Sequence, residues 1–394
     1  TASYNTALGH TALKYNTSGT YNVALGHGTL RENTTGKSNI AIGLNALLSN
    51  TVGSSNIGIG YYALRFNTAS NNTAVGHNSL RSNTTGTNNT AVGRNSLATN
   101  TTGVLNTSLG DRSLRVNTTG GDNTALGAFA QYSNTIGGSN TSVGRGALYS
   151  NVSGDSNTAI GTNASFANLG SNNTSVGFQS LFCSVASNNT AVGYCALRSN
   201  TTGTDNVAVG CGALATNTVG VSNTAVGLNA LRYSTASNNT AIGHRVLWSN
   251  TTGASNTGVG FCALGSNTTG AQNVAMGLEA LLLNTDADAN VALGGVAMRR
   301  TTVGGRNIAV GRAALYSNTT GTNNVALGYR ALFHSTLSGG SVAVGYKALN
   351  YNTVSNNTAV GSCALTSNTT GTNNTAVGIN ALRANTTGIS NTAV

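Results

Sequence analysis

Small and apolar residues recur along this chain at an interval of 17 residues, occasionally 16, with polar residues between them. The repeated unit reads Asn-Thr-Ala-Val-Gly-x-x-Ala-Leu-x-x-Asn-Thr-Thr-Gly-x-x, as in residues 89–105. Its positions are numbered 1–17 from the first Asn. A fixed period that starts at Asn5 and still runs at Asn391 is typical of a repeat protein. We therefore expect residues 1–394 to form a single continuous array of about 23 complete coils.

Positions 2 and 4 of the unit are mostly Thr, Val, Ile or Leu, and position 3 is never larger than Ser, as in Ile40-Ala41-Ile42. This alternation predicts a short strand whose second and fourth side chains share one face. A uniformly small third residue indicates close packing, because an exposed position would accept Lys, Glu or Gln. We interpret position 3 as a seam between chains; the alternative is a tightly folded single roll that turns it inward.

Position 5 is Gly in every complete copy, which predicts a positive φ or a close backbone neighbour. Position 9 is Leu in almost all copies, with Gln131, Ser165 and Met298 as exceptions, and is expected to be a second inward anchor. Both sets should stack as structural ladders that begin with Gly9, Gly26, Gly43, Gly60, Gly76, Gly93, Leu13, Leu30, Leu47 and Leu64.

Positions 12–15, usually Asn-Thr-Thr-Gly, have the composition of a turn. The five 16-residue copies, which begin at Asn56, Asn157, Asn173, Asn223 and Ser341, differ from the others in this tail. A surface turn tolerates a deletion, whereas a residue lost from a strand would move its side chains to the other face. The deletion is therefore predicted to lie in the turn.

A unit of 17 residues has room for only about two helical turns, whereas helical repeats need two packed helices and commonly more than thirty residues. We therefore predict an all-β fold, a parallel β-solenoid or β-roll with one 16–17-residue coil per repeat. Each coil should contain two short strands and two turns. At about 4.8 Å per rung, the array should be an elongated rod of roughly 110 Å.

Only 7% of the residues are charged and Pro is absent, so the chain does not resemble a disordered tail. The net charge of +11 comes largely from Arg, much of it at the same variable positions as the aromatic residues. We expect a basic, partly aromatic surface to attract acidic polysaccharide or a host surface. Nucleic acid is not an expected partner, and the alternative role of these charges is solubility, because no dense Lys/Arg run occurs. The candidate surface-binding residues are Arg65, Arg81, Arg94, Arg115, Tyr61 and Tyr62.

The sequon Asn-x-Ser/Thr recurs in the tail of the repeat. In a eukaryotic secretory route these sites would be candidates for glycosylation. The alternative is that a solenoid turn selects Asn and Thr for stacked amide ladders and hydroxyl hydrogen bonds. The candidate glycosylation sites are Asn33, Asn83, Asn100, Asn117 and Asn200.

Residues that could carry catalysis are scattered. The eight acidic residues give no repeated pair for acid–base work, and His10 and His27 stand at equivalent positions without an obvious third metal ligand. Among the five cysteines, only Cys195 and Cys211 fall at near-equivalent positions of adjacent copies; a disulfide there stays open, with free thiols favoured. We expect no enzyme, cofactor, metal site or membrane span.

Phrases such as Asn89-Thr90-Ala91-Val92-Gly93 and Asn206-Val207-Ala208-Val209-Gly210 resemble the head repeats of trimeric autotransporter adhesins. They are also similar to the Asn-Thr-Ala-Val-Gly arrays of phage and giant-virus tail-fibre proteins and of bacterial surface proteins. The adhesin resemblance implies a left-handed parallel β-roll, three chains around a common axis, and binding to host or matrix surfaces. The period here differs from the shorter unit of that family.

The function we expect is therefore a structural and adhesive fibre shaft, self-associated as a homotrimer or filament and displayed outside the cell on a virion or cell surface. Neither end of the sequence has a cap, which predicts a window on a longer polypeptide. One alternative is an ice- or surface-binding solenoid that uses the Thr-Thr pairs at positions 13 and 14, such as Thr34/Thr35 and Thr84/Thr85. A second alternative is a single-chain, glycosylated extracellular filament.

Overall fold

The computed structural model describes residues 2–394, and within them it contains strands and turns but no helix. The residues group into two compact units, of which the first ends at Cys195 and the second covers Ala196–Val394. In each unit the chain winds as a parallel β-solenoid with one short strand per repeat. The predicted fold class is confirmed.

The strands occupy positions 2–4 of the repeat. Those of the first unit are β1 (Thr6–Leu8), β2 (Val23–Leu25), β3 (Ile40–Ile42), β4 (Ile57–Ile59), β5 (Thr73–Val75), β6 (Thr90–Val92), β7 (Thr107–Leu109), β8 (Thr124–Leu126), β9 (Thr141–Val143), β10 (Thr158–Ile160), β11 (Thr174–Val176) and β12 (Thr190–Val192). Those of the second unit are β13 (Val207–Val209), β14 (Thr224–Val226), β15 (Thr240–Ile242), β16 (Thr257–Val259), β17 (Val274–Met276), β18 (Val291–Leu293), β19 (Ile308–Val310), β20 (Val325–Leu327), β21 (Val342–Val344), β22 (Thr358–Val360), β23 (Thr375–Val377) and β24 (Thr392–Ala393).

Within each unit, every strand pairs in parallel with the next at the same repeat position. In the first unit, for example, Thr90 pairs with Thr107 and Val92 with Leu109. In the second unit, Val274 pairs with Val291. Each coil therefore lies directly above the equivalent residues of its neighbour, as the constant period predicts.

The predicted second strand of each coil does not form. Positions 6–11 are turns, in which the residues at positions 7 and 9 take left-handed backbone conformations, as at Asn95 (φ 56°) and Leu97 (φ 50°). Such a conformation costs roughly 1–2 kcal/mol for a residue with a side chain. It reverses the chain sharply enough for Leu97 to reach the interior, where its side chain is fully buried.

Position 3 faces the interior of its own coil, so the interpretation of this position as a seam between chains is wrong. Ala91 is fully buried, and a methyl group added to Gly58, at the same position, would lie 3.2 Å from Cγ of Leu47. The residue is small because the leucine of the preceding coil packs directly against it. The side chains of positions 2 and 4 point outward, as at Thr90, which is exposed, and Val92, which is partly exposed.

The glycine at position 5 satisfies both of its predicted requirements. Gly76 has φ 135°, and a methyl group added to it would lie 2.5 Å from the carbonyl oxygen of Gly93 in the next coil. No L side chain fits this conformation and this distance together. Position 5 is therefore a point at which successive backbones lie too close together for a side chain.

Two ladders of buried asparagines hold the turns together. At position 1, the main-chain N–H of Asn106 donates to Oδ1 of Asn89 (3.0 Å), and its side-chain Nδ2 donates to the same oxygen (3.1 Å) and to the carbonyl of Gly120 (2.9 Å). At position 12, Nδ2 of Asn117 donates to Oδ1 of Asn100 (2.8 Å) and also to Gly120 (2.9 Å). The two ladders thus meet at the glycine of position 15.

The 16-residue coils confirm that the deletion lies in the turn. In a full coil, Nδ2 of Asn50 donates to the carbonyl of Gly53 (2.8 Å), three residues later. In the short coil, Nδ2 of Asn67 makes the same bond to Ala69 (2.8 Å), two residues later. Ala69 therefore takes the place of the position-15 glycine, and the residue at position 14 is absent. The strands keep their register, with Ile57 opposite Thr73.

Candidate binding surface

Four of the six predicted surface-binding residues come together in one cluster of the first unit. The guanidinium carbon of Arg65 lies 4.4 Å from the ring centre of Tyr62, and that of Arg81 lies 5.6 Å from the same ring. Tyr61 packs against Tyr62 with ring centres 3.9 Å apart. These contacts place two cations against one aromatic ring, a favourable arrangement for a guanidinium.

The polar groups of this cluster are partly unsatisfied. Nε of Arg65 and Nε of Arg81 are buried and have no hydrogen-bond partner within residues 2–394. The hydrogen bond between the two phenols raises the pKa of Tyr61, and the same bond, together with the nearby Arg65 and Arg81, lowers the pKa of Tyr62. The cluster therefore combines positive charge with an exposed aromatic surface, since Tyr61 is 40% exposed.

Arg94 and Arg115 do not join this cluster. Arg94 is bound by Asp111 through Nε to Oδ1 (2.9 Å) and Nη2 to Oδ2 (3.1 Å), and this pair lowers the pKa of Asp111. Arg115 donates through Nη1 to the hydroxyl of Tyr132 (2.7 Å). Because Arg94 is neutralised by a carboxylate, the predicted basic surface is interrupted there.

The first threonine of each Thr-Thr pair, at position 13, is engaged in holding the turns. The hydroxyl of Thr101 donates to the carbonyl of Thr118 (3.0 Å), and that of Thr118 donates to Thr135 (3.0 Å). The position-13 hydroxyl protons are therefore directed along the stack rather than toward solvent. This arrangement does not favour the ice-binding alternative.

The five candidate glycosylation sites all lie at position 12, and all five side chains are fully buried. Nδ2 of Asn83, for example, donates to Oδ1 of Asn67 (2.7 Å) and to the carbonyl of Gly86 (2.8 Å). A glycan attached at this nitrogen would displace both bonds and could not fit inside the coil. The alternative interpretation, an amide ladder, describes the folded chain, and glycosylation of Asn33, Asn83, Asn100, Asn117 and Asn200 does not fit it.

The remaining candidate groups do not converge. All five cysteines are free thiols, so the disulfide left open between Cys195 and Cys211 is not formed.

The rings of His10 and His27 stack with centres 5.2 Å apart. Within residues 2–394, no group of three or more His, Cys, Asp or Glu side chains is placed to hold a metal ion. The same residues include no helix with the length and apolarity needed to span a membrane.

One basic surface was missed by the sequence-based prediction. In the second unit, a cavity of about 430 Å³ is lined by residues that include Arg330, Lys347, Arg383 and His334. One signal in the sequence points to it: residues 289–394 contain seven Lys or Arg residues and no Asp or Glu. The sequence alone does not show which of these cations lie together, because that depends on how the turns place positions 7, 10 and 11.

No family model matches the chain, and a comparison with curated proteins also gives no match.

Proposed function

We propose that this chain is the shaft of a structural, adhesive fibre, displayed outside the cell on a virion or cell surface. The observation that carries the proposal is the in-register stacking within each unit, where each coil contacts the next through the same Gly, Leu and Asn positions. Such a stack gains length by adding coils without any change in its contacts. This is the property that a shaft requires. The resemblance to adhesin and tail-fibre repeats supports the same role.

We further propose that copies of the chain associate through the outer face of the strands. Position 4 presents an apolar side chain in each complete coil, and several are well exposed, such as Leu109 (44%) and Leu126 (42%). A continuous apolar stripe of this kind is a frequent mark of an interface. A second copy is the occupant we propose, because its own stripe has the same rung spacing and can interdigitate along the whole contact.

The adhesive part of the proposal involves the cluster of Arg65, Arg81, Tyr61 and Tyr62. Two cations beside Tyr62, with the exposed ring of Tyr61 next to it, suit an acidic polysaccharide, which offers negative charge together with sugar faces that can pack on an aromatic ring. The proposal implies no enzymatic activity, since the residues that support it are contact and packing residues.

Sedimentation and electron microscopy test the shaft and the self-association. We expect the purified chain to sediment as an oligomer, and negative-stain images to show elongated particles. The variant Leu126→Lys should shift the mass toward the monomer, because it buries a charge in the contact, whereas Thr102→Lys in an exposed turn should not. A monomeric mass for the unmodified chain would contradict the self-association, and compact particles would contradict the shaft.

A further inference from the structure

The cavity of about 430 Å³ in the second unit extends over four consecutive coils, which begin at Asn324, Ser341, Asn357 and Asn374. Its size falls within the roughly 300–1,000 Å³ of small-molecule sites. It exists because the equivalent side chains of these coils differ in length. At position 10, the long Arg383 lines the cavity together with the shorter Asn350 and Thr366 of the two preceding coils. The shorter side chains leave room that a long one would fill.

Three cations line this cavity, and no carboxylate does. Arg330, Lys347 and Arg383 make no ion pair with any residue of the part of the chain that the structure describes. The whole segment 289–394 lacks Asp and Glu, so no acidic side chain of these coils offsets the charge. Like charges gathered in one cavity repel each other, and a bound anion would relieve that repulsion.

Two of the three cations, Arg330 and Lys347, are positioned by their neighbours. The guanidinium carbon of Arg330 lies 4.1 Å from the ring centre of Phe333, and Nζ of Lys347 lies 5.1 Å from that of Tyr346. The main chain behind them is also fixed. Nδ2 of Asn350 donates to the carbonyl of Arg330 (2.9 Å), and the hydroxyl of Thr366 donates to that of Lys347 (3.1 Å). Preorganisation of this kind lowers the entropic cost of binding.

Aromatic and neutral polar groups complete the lining. Tyr346 and Tyr351 are 48% and 51% exposed, and the ring of His334 stacks on Tyr351 with centres 5.0 Å apart. Burial, and secondarily the charge of Arg330, lowers the pKa of His334, so its ring is neutral at pH 7 and has one nitrogen that donates and one that accepts. Rings beside hydrogen-bonding groups suit a sugar, whose ring has apolar faces and a hydroxyl rim.

We propose that this cavity binds an anionic saccharide, with Arg330, Lys347 and Arg383 contacting its sulfate or carboxylate groups and Tyr346 and Tyr351 packing against the sugar ring. Guanidinium groups match the geometry of these oxyanions, and the ammonium of Lys347 adds a compact charge. The choice of a saccharide rests on the proposed adhesive function. The site itself is separate from the Tyr62 cluster, which belongs to the first unit.

Titration calorimetry of the full chain with a sulfated dextran hexasaccharide tests the proposal, with the unsulfated hexasaccharide as the neutral probe. We expect Arg330→Gln, Lys347→Gln and Arg383→Gln each to weaken binding of the sulfated probe by tenfold or more. Glutamine suits position 7, because Gln179 already occupies it in another coil with φ 51°. The matched control is Arg312→Gln, which removes one exposed charge of the same unit outside the cavity, and it should change the affinity by less than twofold.

The possible outcomes distinguish failure of the cavity proposal from failure of the proposed adhesive function. Equal weakening by Arg312→Gln would show a diffuse charge effect and overturn the site, as would equal binding of the unsulfated hexasaccharide. Melting curves of all four variants should match that of the unmodified chain, so that lost affinity is not lost folding. If the three cavity variants bind normally while Arg65→Gln weakens binding, the cavity proposal fails and the adhesive function stands. If the sulfated probe does not bind at all, both fail.

Discussion

Asn89 accepts two hydrogen bonds from its counterpart in the next coil, because its Oδ1 receives both the main-chain N–H (3.0 Å) and the side-chain Nδ2 (3.1 Å) of Asn106. Asn106 in turn accepts the same pair from Asn123 at 3.1 Å each. All three side chains are buried. These side chains therefore form a continuous ladder of amides, in which each asparagine donates to the one in the preceding coil and accepts from the one in the next coil.

Asn106→Ala should be strongly destabilising. It removes the donor to Asn89 and to the carbonyl of Gly120, and it leaves the main-chain N–H of Asn123 without its acceptor. At about 1–3 kcal/mol for each buried group left unpaired, we expect a total loss of roughly 2–5 kcal/mol in the free energy of unfolding. Denaturant unfolding measures it. Thr102→Ala, at an exposed turn position, is the control and should change the stability by less than about 0.5 kcal/mol; equal losses would contradict the ladder.

Gln131→Leu should stabilise the first unit. Gln131 replaces the core leucine of position 9, is fully buried, and has no hydrogen-bond partner for its amide nitrogen or oxygen within residues 2–394. Leu114 and Leu148 fill the same position in the two neighbouring coils, so a leucine has a matching environment. We expect a gain of about 1–3 kcal/mol, measured by denaturant unfolding. The reverse change Leu148→Gln should be destabilising, and an unchanged stability for Gln131→Leu would contradict the assigned burial.

Val296→Gly should also be stabilising, for a backbone reason. Val296 has φ 56°, a left-handed conformation that is especially unfavourable for a β-branched residue. Glycine adopts it without strain, as Gly146 and Gly212 do at the same position. The expected gain is about 1 kcal/mol in the free energy of unfolding, less the packing lost with the side chain. Asn95→Val places a β-branched residue at the same φ of 56° and should cost at least a similar amount, because it also removes the oxygen that accepts from Nδ2 of Asn78. A destabilising Val296→Gly would show that packing outweighs strain there.

Cys262 should react slowly with alkylating reagents below its pKa. Burial raises the pKa of this thiol; Glu279 raises it further and Arg245 opposes the shift. Because the thiolate is the nucleophile, a raised pKa means a smaller reactive fraction at pH 8 than in a free cysteine, and the rate should still rise with pH where that of a free cysteine has levelled off. Iodoacetamide labelling followed by peptide mass spectrometry measures the rate. The exposed Cys183 reports on accessibility in the same sample, and labelling of Cys262 as fast as free cysteine at pH 8 would contradict the prediction.

The sequence predicts the coil well because its period and its glycines are direct consequences of stacking. A glycine at a position such as Gly76 was expected for either of two reasons, a positive φ or a close backbone neighbour, and the structure shows both. The direction of position 3 was not predictable, since a residue such as Ala91 must be small whether it packs inside its own coil or against another chain. The turn at Leu97 was not predictable either, because leucine rarely adopts a positive φ and nothing local signals it.

The candidate sites were harder to predict for a different reason. Tyr62 and Arg65 are close in sequence, so their contact could be anticipated. Arg330 and Arg383 are more than fifty residues apart, and they line one cavity only because the turns bring positions 7 and 10 to the same corner of successive coils. The period alone indicates which residues are equivalent, but it does not indicate which positions of the repeat lie close together on the surface of the coil.

The in-register stack is tested most directly by a disulfide between counterparts in adjacent coils. Thr90 and Thr107 are register partners on β6 and β7, so their Cα atoms are about 4.8 Å apart, within the range that a disulfide spans. With the five native cysteines replaced by serine, Thr90→Cys/Thr107→Cys should form an intramolecular disulfide under mild oxidation, identified by mass spectrometry. Thr90→Cys/Thr124→Cys, two rungs apart at about 9.6 Å, should not. Absence of the first disulfide, or equally rapid formation of the second, would contradict the stack.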